Sequence, residues 1–320
     1  MKNKVKVLET RNLSKYYPVS GGKVLKAVDD VSIELYEGET LGIVGESGSG
    51  KTTLGKLCLG ITEKSAGEII VLGKNIDKLD KKSKKDFTKN IQMIFQDPYS
   101  SLDPTMSVFQ IISEGLEIHN IGSTKEERIE IVKGLLKDVG LNQDHINRKI
   151  HEFSGGQRQR IGIARALAIK PKILVCDEPI SALDVSMRAQ VINLLINLEK
   201  SNNISSIFIA HDLAVVKHIS DRVAVMYLGE VVEISDSDDI YKNPYHPYTK
   251  ALLSAIPIAD PEKSKERKSM FLKGEIPSPV EINNGCKFYS RCMNRMDICK
   301  NKKPERKEVS KDHSVLCHLY

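Results

Sequence analysis

The nine residues Gly45-Glu46-Ser47-Gly48-Ser49-Gly50-Lys51-Thr52-Thr53 constrain this chain more than any other feature of its sequence. The apolar run Leu41–Val44 leads into them, and Leu54–Gly60 leaves them with helical character. Glycines at the first and sixth positions, followed by Lys-Thr, form the phosphate-binding pattern in the strand–loop–helix context it requires. In that arrangement backbone N–H groups and a helix N-terminus converge on an anion, and the glycines permit positive φ and close approach. Lys51 is placed to set a point charge on the β- and γ-phosphates, and the Thr52 hydroxyl to ligate Mg²⁺. All nine are candidate nucleotide-binding residues.

Strand-like segments recur at 5–12, 27–35, 67–72, 91–95, 173–176, 206–210 and 223–226. Residues 98–162 read as mostly helical, with helical spacing clear over 129–139, and an amphipathic helix is expected over 186–200. Such alternation around a glycine loop predicts an α/β domain with a mostly parallel sheet and one helical insertion. The run Ile173-Leu174-Val175-Cys176-Asp177-Glu178 describes a buried parallel strand delivering two carboxylates to the sheet edge. Asp177 is expected in the Mg²⁺ shell, and Glu178 is placed to polarise an attacking water.

Ahead of that strand lies Phe153-Ser154-Gly155-Gly156-Gln157-Arg158-Gln159-Arg160. Ser-Gly-Gly before a helix expected over 158–169 is a second anion-binding helix end, and in isolation also a plain helix cap. The segment resembles the signature motif of ABC-type ATPases, with Phe153 where Leu is usual. The resemblance implies a head-to-tail dimer in which Ser154, Gly155, Gly156 and Gln157 of one chain close on the phosphate loop of the other. It also implies Gln96 as the residue sensing γ-phosphate and Mg²⁺, and Asp184 of Ser181-Ala182-Leu183-Asp184 as a link across the dimer. His211 matches the histidine that contacts the γ-phosphate and orients Glu178. Tyr17 matches the aromatic that stacks on adenine, with Tyr16 as its alternative. Ile180 stands where Thr often follows the Glu-Pro pair. The expected fold is an α/β P-loop NTPase, an ABC-type nucleotide-binding domain with a helical subdomain and a small Cys-rich C-terminal extension. The ATPase domain is placed at 1–257, its helical subdomain near 97–165, and the extension at 258–320.

Glu39-Thr40-Leu41-Gly42, Gln92-Met93-Ile94-Phe95-Gln96-Asp97-Pro98-Tyr99, Asn243-Pro244-Tyr245-His246-Pro247-Tyr248-Thr249 and Gly285-Cys286…Arg291-Cys292 resemble the ATPase subunits of oligopeptide and dipeptide importers, in their F-type form. That resemblance implies an ATP-hydrolysing motor at the cytoplasmic face of the membrane. Its implied partners are a second ABC ATPase subunit, two membrane permeases and, indirectly, an extracytoplasmic peptide-binding protein. The same motor could serve nickel or another small solute, because substrate choice resides in other subunits. Soluble ABC ATPases of nucleic-acid metabolism form a different class, usually with long coiled-coil insertions or paired cassettes; this chain has one cassette and a short insertion.

Composition locates the chain's charge. Of 48 Lys+Arg and 42 Asp+Glu, residues 1–260 hold 34 of each, so the net +6 belongs to the last 60 residues. The aromatics there (Phe271, Phe288, Tyr289, Tyr320) form no stacking array, so nucleic acid is not the expected partner. A membrane span needs ~20 apolar residues, and the apolar stretch at 251–259 is broken by Ser254 and Pro257. The lysines near Met1 precede no apolar secretory segment. Cys286, Cys292, Cys299 and Cys317 lack the Cys-x2-Cys knuckles of structural zinc. They resemble the cysteine tail of peptide-importer ATPases, some of which hold a [4Fe–4S] cluster; zinc and metal-free thiols stay open. Lys287, Arg291, Arg295 and Lys300 are expected to offset a cluster's charge, with His313 and His318 as substitute ligands. Cys58 and Cys176 read as small buried hydrophobes.

Overall fold

The computed structural model describes residues 5–256, 277–278, 280 and 285–320. These divide into two compact units. One gathers Ile70–Phe208 with Leu35–Glu39 and the segment ending at Leu8; the other gathers Glu9–Glu34, Thr40–Ile69 and the chain from Ile209 onward. The expected boundary at 257/258, with Pro257, Pro261 and Phe271, lies outside the described residues.

The phosphate loop belongs to the second of these units. Strand Thr40–Val44 is buried along its whole length and pairs in parallel with Arg222–Tyr227, as apolar residues on both faces of a strand require. Leu228 and Gly229, at φ 44° and 83°, turn Arg222–Tyr227 back into the antiparallel strand Glu230–Asp236. Two central residues at positive φ make the hairpin turn that matches strand twist. His313–Leu316 and Arg306–Ser310 then add two further antiparallel strands to this ladder. The sequence reading assigned no strand to these tail segments, whose apolar alternation is short: Val315 and Leu316 are buried, whereas Arg306, Lys307 and Glu308 are exposed. Charged side chains on the outer strand discourage edge-to-edge pairing.

In the other unit, Ile91–Ile94 runs parallel to the buried strand Ile173–Asp177. Helices Val108–Ile118, Lys125–Asp138 and Gly155–Leu167 pack on one another, and Ile112, Leu116, Val132, Leu136 and Ile161 along them are all essentially buried. The helical spacing read over 129–139 falls in helix Lys125–Asp138, whose start is set by Thr124, its hydroxyl accepting from Glu127 N. A first turn of Lys-Glu-Glu-Arg carries no apolar period, so spacing alone could not place that start. Cys58 and Cys176 are fully buried, in agreement with their apolar reading.

The tail strands are held by a buried charge network. Glu233 is fully buried and accepts from Tyr245 N at 2.7 Å, His246 N at 2.9 Å and His313 Nε2 at 2.8 Å. His313 Nδ1 lies 2.7 Å from Asp239 Oδ2, so both ring nitrogens face carboxylates. Burial disfavours the imidazolium, but hydrogen bonds to Glu233 and Asp239 outweigh it and raise the His313 pKa above 6.5. A raised folded-state pKa stabilises fully below the unfolded value and loses that contribution as pH climbs through the folded value. The urea midpoint difference between wild type and His313→Gln is therefore expected to be largest near pH 6 and to shrink toward pH 9. A difference independent of pH would show that His313 packs as a neutral ring.

Candidate nucleotide site

Gly50 caps helix Lys51–Cys58 at φ 102°, and a side chain there would run into the Ala27 carbonyl. Gly45 is equally confined, since a Cβ would strike the Met226 carbonyl. The loop can thus take its path only with glycine at these two points. Lys51 is buried, with Nζ donating to Gly45 O at 2.8 Å and Glu46 O at 2.9 Å. The ammonium is thereby stored inside the loop it serves. Among the described residues, the buried Ser49 hydroxyl has no hydrogen-bond partner. A positive charge, an unpartnered hydroxyl and a helix N-terminus in one glycine-bounded loop fit a phosphate chain. Thr52 and Thr53, half-buried, open the helix, while Ser47 and Gly48 are exposed at the tip.

Sequence reasoning missed what secures this loop. The Glu46 amide donates to the hydroxyl of the buried Tyr248 at 2.9 Å. The Glu46 carboxylate receives the Arg291 guanidinium as a two-pronged pair, at 2.6 and 3.0 Å. Both partners lie far away in sequence, so no local spacing could announce them. Burial pushes the Tyr248 hydroxyl above its usual range, keeping it neutral. Nearby, Tyr16 donates to Asp29 at 2.6 Å, which ties its hydroxyl to the protein. Tyr17 is half-buried, with the Lys15 ammonium 4.8 Å from its ring centroid.

In the other unit, the buried Asp177 ends its strand and Glu178 follows at φ 43°. A non-glycine residue in the left-handed region stores strain of order 1–3 kcal/mol, a cost usually met at working sites. Gln96 Nε2 donates to Glu178 Oε2 at 3.1 Å, bringing together two residues the sequence placed 82 positions apart. Ser154 and Gln157 form a reciprocal capping box on helix Gly155–Leu167, with Ser154 N to Gln157 Oε1 at 3.0 Å. A side chain on Gly156 would meet Met187. This helix starts three residues earlier than expected, because the cap is Ser154 itself. Phe153 is buried, edge-on to His145 at 5.6 Å, so the pocket accepts the aromatic in place of Leu. Asp184 caps Val185–Asn202 through Met187 N at 2.9 Å, and that hydrogen bond, with one from Ser186, holds its carboxyl below the usual range. His211, a residue of the phosphate-loop unit, comes directly after strand Ser205–Ala210.

The tail corrects part of the sequence reading. Cys286 N donates to Cys299 O at 2.8 Å, and ionising any of Cys286, Cys292 or Cys317 is disfavoured by neighbouring cysteines. Burial is the larger cause and pushes Cys286 up to about 12. Yet among the described residues no group of three or more His, Cys, Asp or Glu side chains is arranged to hold a metal ion. The expected cluster charge-offset is also redirected. Lys287 Nζ pairs with Asp29 at 2.8 Å and Glu230 at 3.5 Å, and Arg291 pairs with Glu46. His313 serves Glu233 and Asp239, and His318 Nε2 lies 2.8 Å from Lys302 O, so both proposed substitute ligands have other partners. Burial raises the Asp29 pKa, but hydrogen bonds from Lys287 and Tyr16 overcome it and leave the carboxyl at about 2. No described helix is long and apolar enough to cross a membrane.

Comparison with known proteins agrees with this geometry. The ABC transporter family matches residues 28–181, and the oligopeptide/dipeptide transporter C-terminal region matches 232–299. The chain is 50% identical over 314 residues to the putative oligopeptide transport ATP-binding protein YkfD of Bacillus subtilis, covering 98% of this chain and 95% of that one. It is 48% identical to the oligopeptide transport ATP-binding protein OppF of Escherichia coli, covering 97% and 95%. Among solved structures it is similar to a dimeric post-hydrolysis state of the ATP-binding cassette MJ0796 bound to ADP and Pi, with TM-score 0.66 and 28% identity, covering 72% of this chain and 98% of that one. The chain therefore has the ABC ATPase cassette fold and belongs to the ATP-hydrolysing subunits of ABC transporters, in the branch of the oligopeptide transport ATP-binding proteins.

Proposed function

We propose that this chain is the motor subunit that couples ATP hydrolysis to peptide import through a pair of membrane permeases. The carrying observation is near-full-length similarity to oligopeptide transport ATP-binding proteins together with a phosphate loop stored ready for an anion. The motor sits at the cytoplasmic face, pairs with a second ABC ATPase subunit, and receives cargo captured by an extracytoplasmic peptide-binding protein. In this reading Tyr17 stacks on adenine, and Gly45 through Thr53 wrap the phosphates. Lys51 leaves the carbonyls of Gly45 and Glu46 for the β- and γ-phosphates. Thr52, Gln96 and Asp177 are the residues that would hold Mg²⁺, whose charge would screen the phosphates. Glu178 takes the proton of the attacking water, supported by the Gln96 hydrogen bond, and His211 orients the γ-phosphate end. Ser154, Gly155, Gly156 and Gln157 serve the phosphate loop of the partner ATPase, and Asp184 relays between the two.

Co-expression with its permeases, reconstitution into vesicles, and uptake of a defined labelled peptide tests this reading. Peptide accumulation that requires ATP on the motor's side is the expected result. Uptake unaffected by omitting this subunit, or nickel carried in place of peptide, overturns it.

For the extension, the reading is a small cysteine-bearing segment whose Cys286, Cys292, Cys299 and Cys317 hold a [4Fe–4S] cluster. Their resemblance to the cysteine tail of peptide-importer ATPases supports it; the arrangement of the described side chains and the pairing of Lys287 and Arg291 with protein carboxylates do not. Anaerobic purification followed by iron, sulfide and zinc determination decides, and a colourless protein without stoichiometric iron after reconstitution removes the cluster. With a cluster present, Cys292→Ser is expected to lower stability or assembly more than it lowers the hydrolytic step of surviving protein.

A further inference from the structure

The residues between Cys286 and Cys292 meet the rest of the phosphate-loop unit at three points. Lys287 is buried between Asp29 and Glu230 and also donates to Leu228 O at 2.9 Å. Phe288 is buried among Tyr227, Tyr248 and His246, with ring centroids at 5.2, 5.5 and 5.6 Å. His246 is itself neutral, its pKa brought down to about 4 by burial, and its Nδ1 accepts from Tyr248 N at 3.1 Å. The single 3-10 turn Tyr289–Arg291 then aims Arg291 at Glu46, the second residue of the phosphate loop.

Glu46 poses a problem for a loop built to receive a polyanion. Its carboxylate adds a negative charge inside a cradle whose purpose is to attract phosphates. The Arg291 fork removes that charge from the balance, and the pair is far from fully solvated, with Arg291 5% and Glu46 23% exposed in their side chains. The Glu46 hydrogen bonds raise the Arg291 pKa, so the guanidinium stays charged. The same residue fixes the loop through its backbone: Glu46 N is held by Tyr248, and Glu46 O accepts from Ser49 N and Lys51 Nζ.

We propose that Arg291 is a positioning residue for ATP binding: by neutralising and anchoring Glu46 it sets the affinity of the phosphate loop, so the segment between Cys286 and Cys292 is part of the nucleotide site. This rests on the loop being the ATP site and extends that assignment to a residue 245 positions downstream of Glu46.

The test uses the full-length chain and titration with ATP and Mg²⁺. Arg291→Gln leaves Glu46 as an uncompensated anion and is expected to weaken ATP binding roughly tenfold. Arg291→Lys, which keeps the charge and loses the fork, should fall between the two. The decisive variant is Glu46→Gln combined with Arg291→Gln, which removes the repelling charge and should recover most of the lost affinity. In ATPase assays with the partner subunits, Arg291→Gln should raise KM for ATP roughly tenfold while kcat changes less than twofold. Unchanged ATP affinity in Arg291→Gln, or a double variant no better than the single one, overturns the proposal and leaves Arg291 as a strut for the tail. Failure of the wild-type chain to bind ATP would instead overturn the assignment of the loop. Because Arg291→Lys and the double variant both keep a hydrogen-bonding side chain at each position, misfolding of one variant does not leave the question open.

Discussion

Glu178→Gln is expected to cut steady-state ATP turnover roughly 10²–10³-fold while leaving ATP binding intact. The amide keeps the shape of the carboxylate and can still meet Gln96, whose Nε2 lies 3.1 Å from Glu178 Oε2 in the native protein. It cannot accept the proton of an attacking water. A loss confined to the chemical step lowers kcat and leaves nucleotide affinity alone, and bound ATP should then persist long enough to be recovered after rapid desalting. Phosphate release measured alongside ATP retention checks both halves. Turnover within tenfold of wild type would remove Glu178 from the role of general base. A variant that loses ATP binding as well would point to a structural role for the carboxylate, which its φ of 43° would make plausible as a strained hinge at the end of strand Ile173–Asp177.

The second large effect concerns stability. Glu233 has no exposed surface and satisfies two backbone amides and one imidazole. Glu233→Ala strips the acceptor from Tyr245 N, His246 N and His313 Nε2 at once, leaving buried donors unpaired. Breaking a buried charged network from one side costs about 3–5 kcal/mol. The loss should appear as a lower denaturant midpoint and as early exposure of the segment carrying Tyr248, which holds Glu46 N. Glu233→Gln keeps one acceptor oxygen and should cost less. An Ala variant within about 1 kcal/mol of wild type would mean that water replaces the carboxylate, and the tail strands would then need another anchor.

These two residues mark different degrees of legibility. The role proposed for Glu178 comes from local sequence, because an apolar strand ending in Asp-Glu downstream of a phosphate loop directs attention to the second acid. Glu233 sits in Glu230-Val231-Val232-Glu233, where nothing local separates a solvated face from a buried anchor. The tail shows the same limit. Four cysteines and surrounding cations suggest a cluster with its counter-charges, since both features are visible in one dimension. Lys287 and Arg291 instead find Asp29, Glu230 and Glu46, which are distant in sequence and close only after folding. Ser154 and Gln157 fall between, because a Ser-x-x-Gln spacing announces its own capping box.

By itself the sequence determined the α/β class, the phosphate loop, the acidic strand, the signature helix and the family they belong to. Each of these is local: a few adjacent residues impose a turn, a cap or a strand end, and short-range sterics and periodicity suffice to read it. Tertiary structure alone decided that the tail adds two strands beside Glu230–Asp236, that Tyr248 and Arg291 secure Glu46, and that His313 lies between two carboxylates. Those pairings depend on which distant charges are desolvated together, and desolvation is a property of the packed chain rather than of any segment in it.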